Sequence, residues 1–328
     1  MALNGSSSKR KRKDLATYLK TGLLNVLLNL TSFIPDDSYG RFIYKLYTGR
    51  SLNLDNPETF DEKLWWLKLN DHNPLLSICS DKVAVREYVE KCGLSHILTQ
   101  IYGVYEDAED IDFTEFTDEV IIKCNHSSGM NMIYSPDNFN GSISLSVKLL
   151  NLQLSCKYYL LLRERNYNIK PKLICEKVLR NSDGTLPSDY RFFCFDGKAK
   201  FFLYDTDLCT EDGRHSKDGR RNVYDMDFNL LNVRLTRKNF DPASAKKPEA
   251  FDEMRRYAEI LAQPFPFCRV DFFNVEGRVY LGEMGFYQNG ACNKITPREW
   301  DLELGAEIDL SHPGVELNST RLGPRKRR

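Results

Sequence analysis

Arg269 to Phe286 reads RVDFFNVEGRVYLGEMGF, and this stretch decides how the chain is organised. Val270, Phe272, Val279 and Leu281 supply the β-branched and aromatic content of two strands, and the Val275-Glu276-Gly277 region supplies the turn between them. Side chains alternate along a strand, so Arg269 and Asp271 share a face. Pairing Asn274 with Arg278 sets Arg269 opposite Glu283 and Asp271 diagonal to it. Diagonal neighbours lie roughly 7–8 Å apart or a little less, so both carboxylates can reach one or two metal ions. Two carboxylates and an arginine held by a rigid hairpin suit Mg²⁺-assisted phosphate chemistry. An ordinary surface ion cluster would read the same way, so the rest of the chain has to discriminate.

The chain has 328 residues, enough for two or three subdomains with real cores. Apolar residues make up 41% and charged residues 28%, as in soluble globular proteins. Net charge is zero but unevenly placed. Residues 1–13 and 321–328 each hold five Lys/Arg and no acid, which leaves 36 basic against 46 acidic residues elsewhere. A body this acidic argues against nucleic acid as a partner, while the tails read as solvated ends or as contacts to an anionic surface. The KRKRK run also resembles a nuclear-localisation signal, a very unspecific pattern. Nine scattered cysteines with no CxxC pair imply reduced thiols and a cytoplasmic location, not a disulfide framework or zinc site. Cys124, Cys175, Cys194 and Cys268 sit in apolar runs, as small core residues do. No signal-peptide cleavage site follows the basic start, and no run reaches the roughly 20 apolar residues of a membrane span.

Leu15 to Ile34 carries Leu19, Leu23, Val26, Leu27 and Leu30 at helical spacing. It reads as a helix packed on the body, or as an interfacial helix that rests with the preceding cations on an anionic membrane. Residues 36–100 look mostly helical. Thr59 and Glu62 form a capping box for FDEKLWWLKL, with Trp65 and Trp66 as core anchors or cleft lining. Asp81-Lys82 opens another helix, closed by Gly93. Val120 to Lys123 is a strand that leads into a polar loop, CNHSSGMNMI, and a second strand. Ser127, Ser128 and Gly129 offer hydroxyls and open backbone N–H groups of the kind that fold over phosphates. His126 is either catalytic or a hydrogen-bonding spacer.

Ser144 to Arg165 reads as a helix, and Leu173 to Cys175 as a strand that ends at Glu176. Asp196-Gly197 marks a hairpin between Arg191–Phe195 and Lys200–Tyr204, with Asp189 and Arg191 on one face. Residues 205–250 are polar and turn-rich, as in an insertion or lid over a site. Glu253 to Ala262 and the stretch after Pro297 read as helices, and the chain beyond Leu310 as tail.

In this order the motifs resemble the ATP-grasp superfamily, and within it the TupA-like branch tied to teichuronopeptide and other surface-polysaccharide synthesis. LNLDNPETFDEKLWWLKL, DKVAVREYV, DYRFFCFDGKAKFF, NVYDMDFNLL and FPFCRVDFFNVEGRVYLGEMGFY carry the resemblance, from about residue 40 to 310. It implies an α+β, ATP-grasp fold in which two α+β subdomains clasp a nucleotide behind a helical N-terminal region. The divisions are a basic tail and interfacial helix at 1–35, a helical region at 36–115, and subdomains at 116–180 and 181–310, the second with the 205–250 insertion. A basic tail at 311–328 follows.

Carried over by position, Lys82 and Lys123 would bind ATP phosphates, with Ser127, Ser128 and Gly129 as the phosphate loop. Glu176, Lys177, Val178 and Leu179 would form the hinge that reads adenine. Asp271 and Glu283 would hold Mg²⁺, and Arg269 and Arg191 would face the moving phosphoryl group or the carboxylate substrate. Many family members carry Asn two residues after the metal-binding Glu; here that position is Gly285, and Asn289 lies nearby in sequence.

The chemistry implied is ATP-dependent ligation of a carboxylate to an amine through an acyl phosphate, in the cytoplasm or at the inner membrane face. Two rival readings stand beside it. Asp205-Thr206-Asp207 follows an apolar strand, as a glycosyltransferase D-x-D metal site would. A non-catalytic nucleotide-binding partner of a membrane assembly would suit the N-terminal helix and the missing Asn.

Overall fold

The computed structural model describes residues 33–127, 131–139 and 141–317, with Val26, Leu30 and Thr31. Ser128, Gly129, most of the Leu15–Ile34 segment and both basic runs lie outside the described residues.

Helices lead the chain: α1 (Asp36–Thr48), α2 (Phe60–Asn70), α3 (Pro74–Ser80) and α4 (Val85–Lys91). The capping box of α2 is complete. The Glu62 N–H donates to Thr59 Oγ1 and the Thr59 N–H donates to Glu62 Oε2, which satisfies two of the helix's open donors. Phe60, Leu64 and Trp65 then face the core fully buried. The fourth helix begins at Val85, not Asp81, because Asp81 turns back to accept the Val83 N–H.

A four-stranded antiparallel sheet follows, built from β1 (Ile101–Tyr105), β2 (Val120–Cys124), β3 (Met132–Tyr134) and β4 (Leu173–Lys177) in the order β1-β4-β2-β3. Helix α5 (Ile143–Leu154) covers it, with Leu150 packed among Val120, Ile122, Cys124, Leu173 and Cys175. This helix stops eleven residues short of the Arg165 expected from sequence. Short 3₁₀ turns replace its end, and Arg163 takes a left-handed conformation with its guanidinium bonded to Asp36 and stacked over Tyr39. Those contacts outweigh the local helical pattern.

The second sheet has five antiparallel strands: β5 (Asp189–Phe195), β6 (Lys198–Thr206), β7 (Arg220–Asp225), β9 (Phe267–Val275) and β10 (Arg278–Gly285), ordered β10-β9-β5-β6-β7. Two two-residue turns fold it, Asp196-Gly197 and Glu276-Gly277, all four residues at positive φ, as the right-handed strand twist requires. The second turn corrects the expected register. Val275 pairs with Arg278, and a bulge at Gly282 brings Glu283 directly opposite Asp271 and Gly285 opposite Arg269.

One face of this sheet, with Phe192, Cys268, Val270 and Phe272, packs on α6 (Phe251–Ala262). On the other face, Phe193, Phe195, Phe201, Leu203 and Phe267 meet Phe60, Leu64 and Trp65 of α2 and Leu304 of α7 (Arg298–Ala306). That aromatic cover ends partway along the strands. Beyond it the same face carries Asp189, Arg191, Asp205, Asp271 and Glu283.

The 205–250 stretch is less of an insertion than its polarity suggests. Strand β6 runs on to Thr206, β7 completes the sheet, and β8 (Arg234–Leu235) pairs with β11 (Ile295–Thr296). RRNVYD has no polar–apolar alternation, and its four central residues are all buried, so only Val223 and Tyr224 mark it locally as a strand. The last described residues are not a free tail either. The His72 N–H donates to Glu316 O and the Asn73 amide to Gly314 O. All nine cysteines are free thiols, and Cys124, Cys175, Cys194 and Cys268 are buried.

Candidate active site

A cleft of about 390 Å³ opens between the two sheets. Lys82, Lys123, Glu176, Lys177, Val178, Leu179, Arg191, Asp271 and Glu283 all line it. Three different parts of the chain, each read separately from sequence, meet there: the start of the α4 segment, the four-stranded sheet and the late hairpin. Arg269 stands one residue pair deeper on β9, behind the carboxylates. Ser127 is buried beside Gln153, whose amide donates to its hydroxyl. Ser128 and Gly129 lie outside the described residues.

The carboxylate end is a charge lattice. The Arg269 guanidinium donates through Nε to Asp271 Oδ1 at 2.6 Å, and through Nη2 to Asp271 Oδ2 at 2.6 Å and Glu283 Oε1 at 2.7 Å. Its third nitrogen donates to Gln288 Oε1. Arg191 reaches Asp189 Oδ1 at 3.2 Å, Asp205 Oδ2 at 3.0 Å and Asp271 Oδ2 at 3.5 Å. Burial opposes ionisation of Glu283, but Arg269, Lys82, Arg191 and Lys123 outweigh it and hold its pKa down at about 2. Asp271 goes the other way. Its deeper burial and the Glu283 charge raise its pKa despite Arg269 and Arg191. Asp189 is pushed up to about 7 by burial and by Asp205, Asp271 and Glu283, with Arg191 only partly offsetting them.

The opposite wall is cationic. Lys82 donates to the Ser127 carbonyl at 2.8 Å, and burial lowers its pKa, with Glu283 pulling the other way. Lys123 forms an ion pair with Glu176, which Arg86 also approaches at 3.6 Å. Glu176 is therefore an anchor for the cations. In the hinge, the Lys177 and Val178 N–H groups are already given to Gln100 O and Glu119 O. Among the described residues the Leu179 N–H has no backbone partner.

Mg²⁺ fits this donor set. A carboxylate offers about four lone-pair directions, and Arg269 uses only some of those on Asp271 and Glu283. Among the described residues no group of three or more His, Cys, Asp or Glu side chains is gathered for a metal. Asn289 is not among the residues that line the cleft, and its amide donates to Thr236 Oγ1 and Asn293 Oδ1. Phosphate oxygens and water would supply the remaining ligands, as Mg²⁺ prefers.

Several contributors were not singled out from sequence as site residues. Asp189 joins the lattice, and its spacing of two from Arg191 was the available signal. Arg221 grips Asp205 through Nε at 2.6 Å and Nη2 at 2.5 Å. His126, read from sequence as catalytic or as a spacer, is buried and bonded to Asn125 and the Cys156 carbonyl. Cys209, Gly213 and His215 enter the cleft from the 207–219 loop. That loop ties the sheets together: the Ile133 N–H donates to Asp212 O, and Arg180 forks to Glu119 and Glu211.

Two antiparallel sheets that wall a nucleotide-sized cleft, one side cationic and the other bearing paired carboxylates, define an ATP-grasp architecture. Residues 62–309 match the family model described as TupA-like ATPgrasp, and the chain belongs to that family. Solved structures similar to it include D-alanine–D-alanine ligase from Bacillus anthracis complexed with ATP (13% identity, TM-score 0.36, covering 65% of this chain and 58% of that one). Others are an L-amino acid ligase from Bacillus licheniformis (11%, 0.40, 65% and 44%) and D-alanine–D-alanine ligase from Helicobacter pylori (15%, 0.38, 72% and 60%). The chain spans less than two thirds of each of these structures. No curated protein matches it.

Proposed function

We propose that the protein is an ATP-dependent carboxylate–amine ligase that forms an amide through an acyl phosphate. One observation carries the reading: the carboxylate pair on β9 and β10 and the lysines Lys82 and Lys123 line a single cleft. In this reading Asp271 and Glu283 hold Mg²⁺, whose positive charge offsets the negative charge on the transferring phosphoryl group. Lys82 and Lys123 bind phosphate oxygens, with Ser127, Ser128 and Gly129 closing over them. Leu179 offers its N–H to the adenine edge, and Lys177 to Leu179 frame the base.

Arg269 and Arg191 do two jobs. They lower the cost of ionising Asp271 and Glu283 in a buried site, and Arg191, which lines the cleft where Arg269 does not, presents fixed positive charge to the acid substrate and the phosphoryl oxygens. The substrate carboxylate attacks the γ-phosphorus and releases ADP. The amine then attacks the acyl carbon and releases phosphate. The cleft positions both partners and limits the water that would hydrolyse the intermediate.

We further infer that the acid is a uronic acid or related group of a bacterial surface glycan, that the amine is an amino acid, and that the work is cytoplasmic. The glycan setting rests on the family resemblance alone. The glycosyltransferase reading finds less support, because Asp205 is wholly buried and saturated by Arg221 and Arg191. The test is ADP release with Mg-ATP and a panel of uronic acids and amino acids. A ligase releases ADP only with both partners present and yields a product whose mass is their sum less water. ADP release that needs neither partner would reduce the protein to an ATPase.

A further inference from the structure

Helix α1 buries one side and offers the other. Tyr39, Gly40 and Tyr44 are buried, with Gly40 against the Trp65 ring. Ser38, Arg41, Phe42, Lys45 and Leu46 follow at helical spacing on the outward side, all exposed. Phe42 is 64% exposed and Leu46 67%, and Phe33, just before the Pro35 cap, is 80% exposed. Two large apolar side chains four residues apart on one helix face form a patch, whereas single exposed apolar residues are ordinary.

The face also carries a sign. Lys45 has no ion partner among the described residues, while Arg41 donates to the Leu52 carbonyl at 2.7 Å and pairs with the exposed Asp55 at 3.3 Å. Asp36, an acid at the helix start, is neutralised by Arg163 and Arg165, while Asp37 is exposed in the first turn. Upstream in sequence stand five consecutive cations at residues 9–13 and the largely apolar LATYLKTGLLNVLLNL at residues 15–30. A protein groove would take Phe42 and Leu46 but has no need of that cation run. A nucleic acid would take the cations but not the apolar pair. Apolar side chains rimmed by lysine and arginine match a bilayer interface of anionic lipid, where the rings and methyls enter the acyl boundary and the cations meet headgroups.

We propose that the outward face of α1, Phe42 and Leu46 beside Arg41 and Lys45, docks the protein on an anionic lipid surface. The cleft lies elsewhere on the body, so this docking stands or falls separately from the ligase reading. Among the described residues no helix is long and apolar enough to cross a membrane.

The experiment is co-sedimentation of the full chain with vesicles of phosphatidylcholine alone and with roughly 30% phosphatidylglycerol added, at low and high salt. Binding is expected on the anionic vesicles and to weaken strongly with salt. Phe42→Asp combined with Leu46→Asp should lower affinity about tenfold or more, while Leu302→Asp, at another exposed leucine, should not. Unchanged thermal unfolding and an unchanged Mg-ATP response would show that the double variant remains folded. The proposal is overturned if the double variant binds vesicles as the wild type does, if the wild type ignores anionic vesicles, or if the double change instead dissolves a dimer in solution.

Discussion

Asp271 and Glu283 stand directly opposite each other across β9 and β10, and a single Arg269 guanidinium donates to both. Directly opposed residues on a strand pair bring their Cβ atoms to about 4.5–5.5 Å, where two carboxylates repel unless a cation serves both. Arg269 is that cation in the protein alone, and a divalent ion beside it would relieve the repulsion further.

Replacing Asp271 with Asn keeps the shape and removes one charge from the lattice. ADP release should fall by about 100-fold or more, because the lost interaction acts on charge that develops in the transition state. Steady-state kinetics over a Mg²⁺ titration checks this, with a higher Mg²⁺ requirement expected. A non-catalytic nucleotide-binding protein would show no turnover to lose.

Lys123 and Glu176 are a pair, so removing either one exposes the other. Lys123→Met should weaken the Mg-ATP thermal shift by about 1.4 kcal/mol, a tenfold loss of affinity. It should also destabilise the free protein, since Glu176 keeps only the more distant Arg86. Adding Glu176→Gln should recover the stability but not the ATP response, and calorimetric unfolding with and without nucleotide separates the two effects.

The pH dependence has opposite signs at two neighbouring carboxyls. Glu283 has a folded pKa of about 2, below its unfolded value, so its stabilising contribution is full above about pH 4.3 and is lost as pH falls towards 2. Asp189, at about 7, is raised, so its contribution is full below about pH 3.9 and is lost as pH rises through 7. Glu283→Gln should therefore flatten the acid limb of the stability profile. Asp189→Asn should gain stability over the wild type at pH 8 relative to pH 5. Urea unfolding at the two pH values is sufficient, and a pH-independent difference for Asp189→Asn would contradict the raised pKa.

Arg180 joins Glu119, the residue before β2, to Glu211 of the loop that lines the cleft. Arg180→Ala should loosen that loop, raising the KM for ATP several-fold with a smaller effect on kcat. Protease cleavage within 207–219 should become faster. Equal cleavage rates would show that the Ile133–Asp212 backbone bond holds the loop without help.

Much of this architecture can be read from local chemistry. Gly197 and Gly277 mark turns that need positive φ, Thr59 and Glu62 mark a helix start, and Asp271 and Arg269 share a face by strand alternation alone. The exact pairing of Asp271 with Glu283 was not read from sequence, because it combines two shifts, the tight Glu276-Gly277 turn that pairs Val275 with Arg278 and a bulge that an isolated strand glycine, Gly282, only suggests. The end of α5 was missed for a related reason: Arg163 turns out of the helix toward Asp36 and Tyr39, which are distant in sequence. Arg221 and β7 were hidden in a stretch whose many turn residues read as loop. Asp205 shows the converse error, since a short acidic motif at a strand end looked free to bind metal but is locked by two arginines.

Calorimetric titration of Mg-ATP into the wild type, Asp271→Asn and Lys123→Met measures most directly whether one nucleotide spans both walls of the cleft. Both variants should bind Mg-ATP at least about tenfold more weakly than the wild type, and without Mg²⁺ the Asp271→Asn penalty should vanish while the Lys123→Met penalty persists. Wild-type affinity in either variant would mean that the carboxylate pair and the lysine do not serve the same nucleotide.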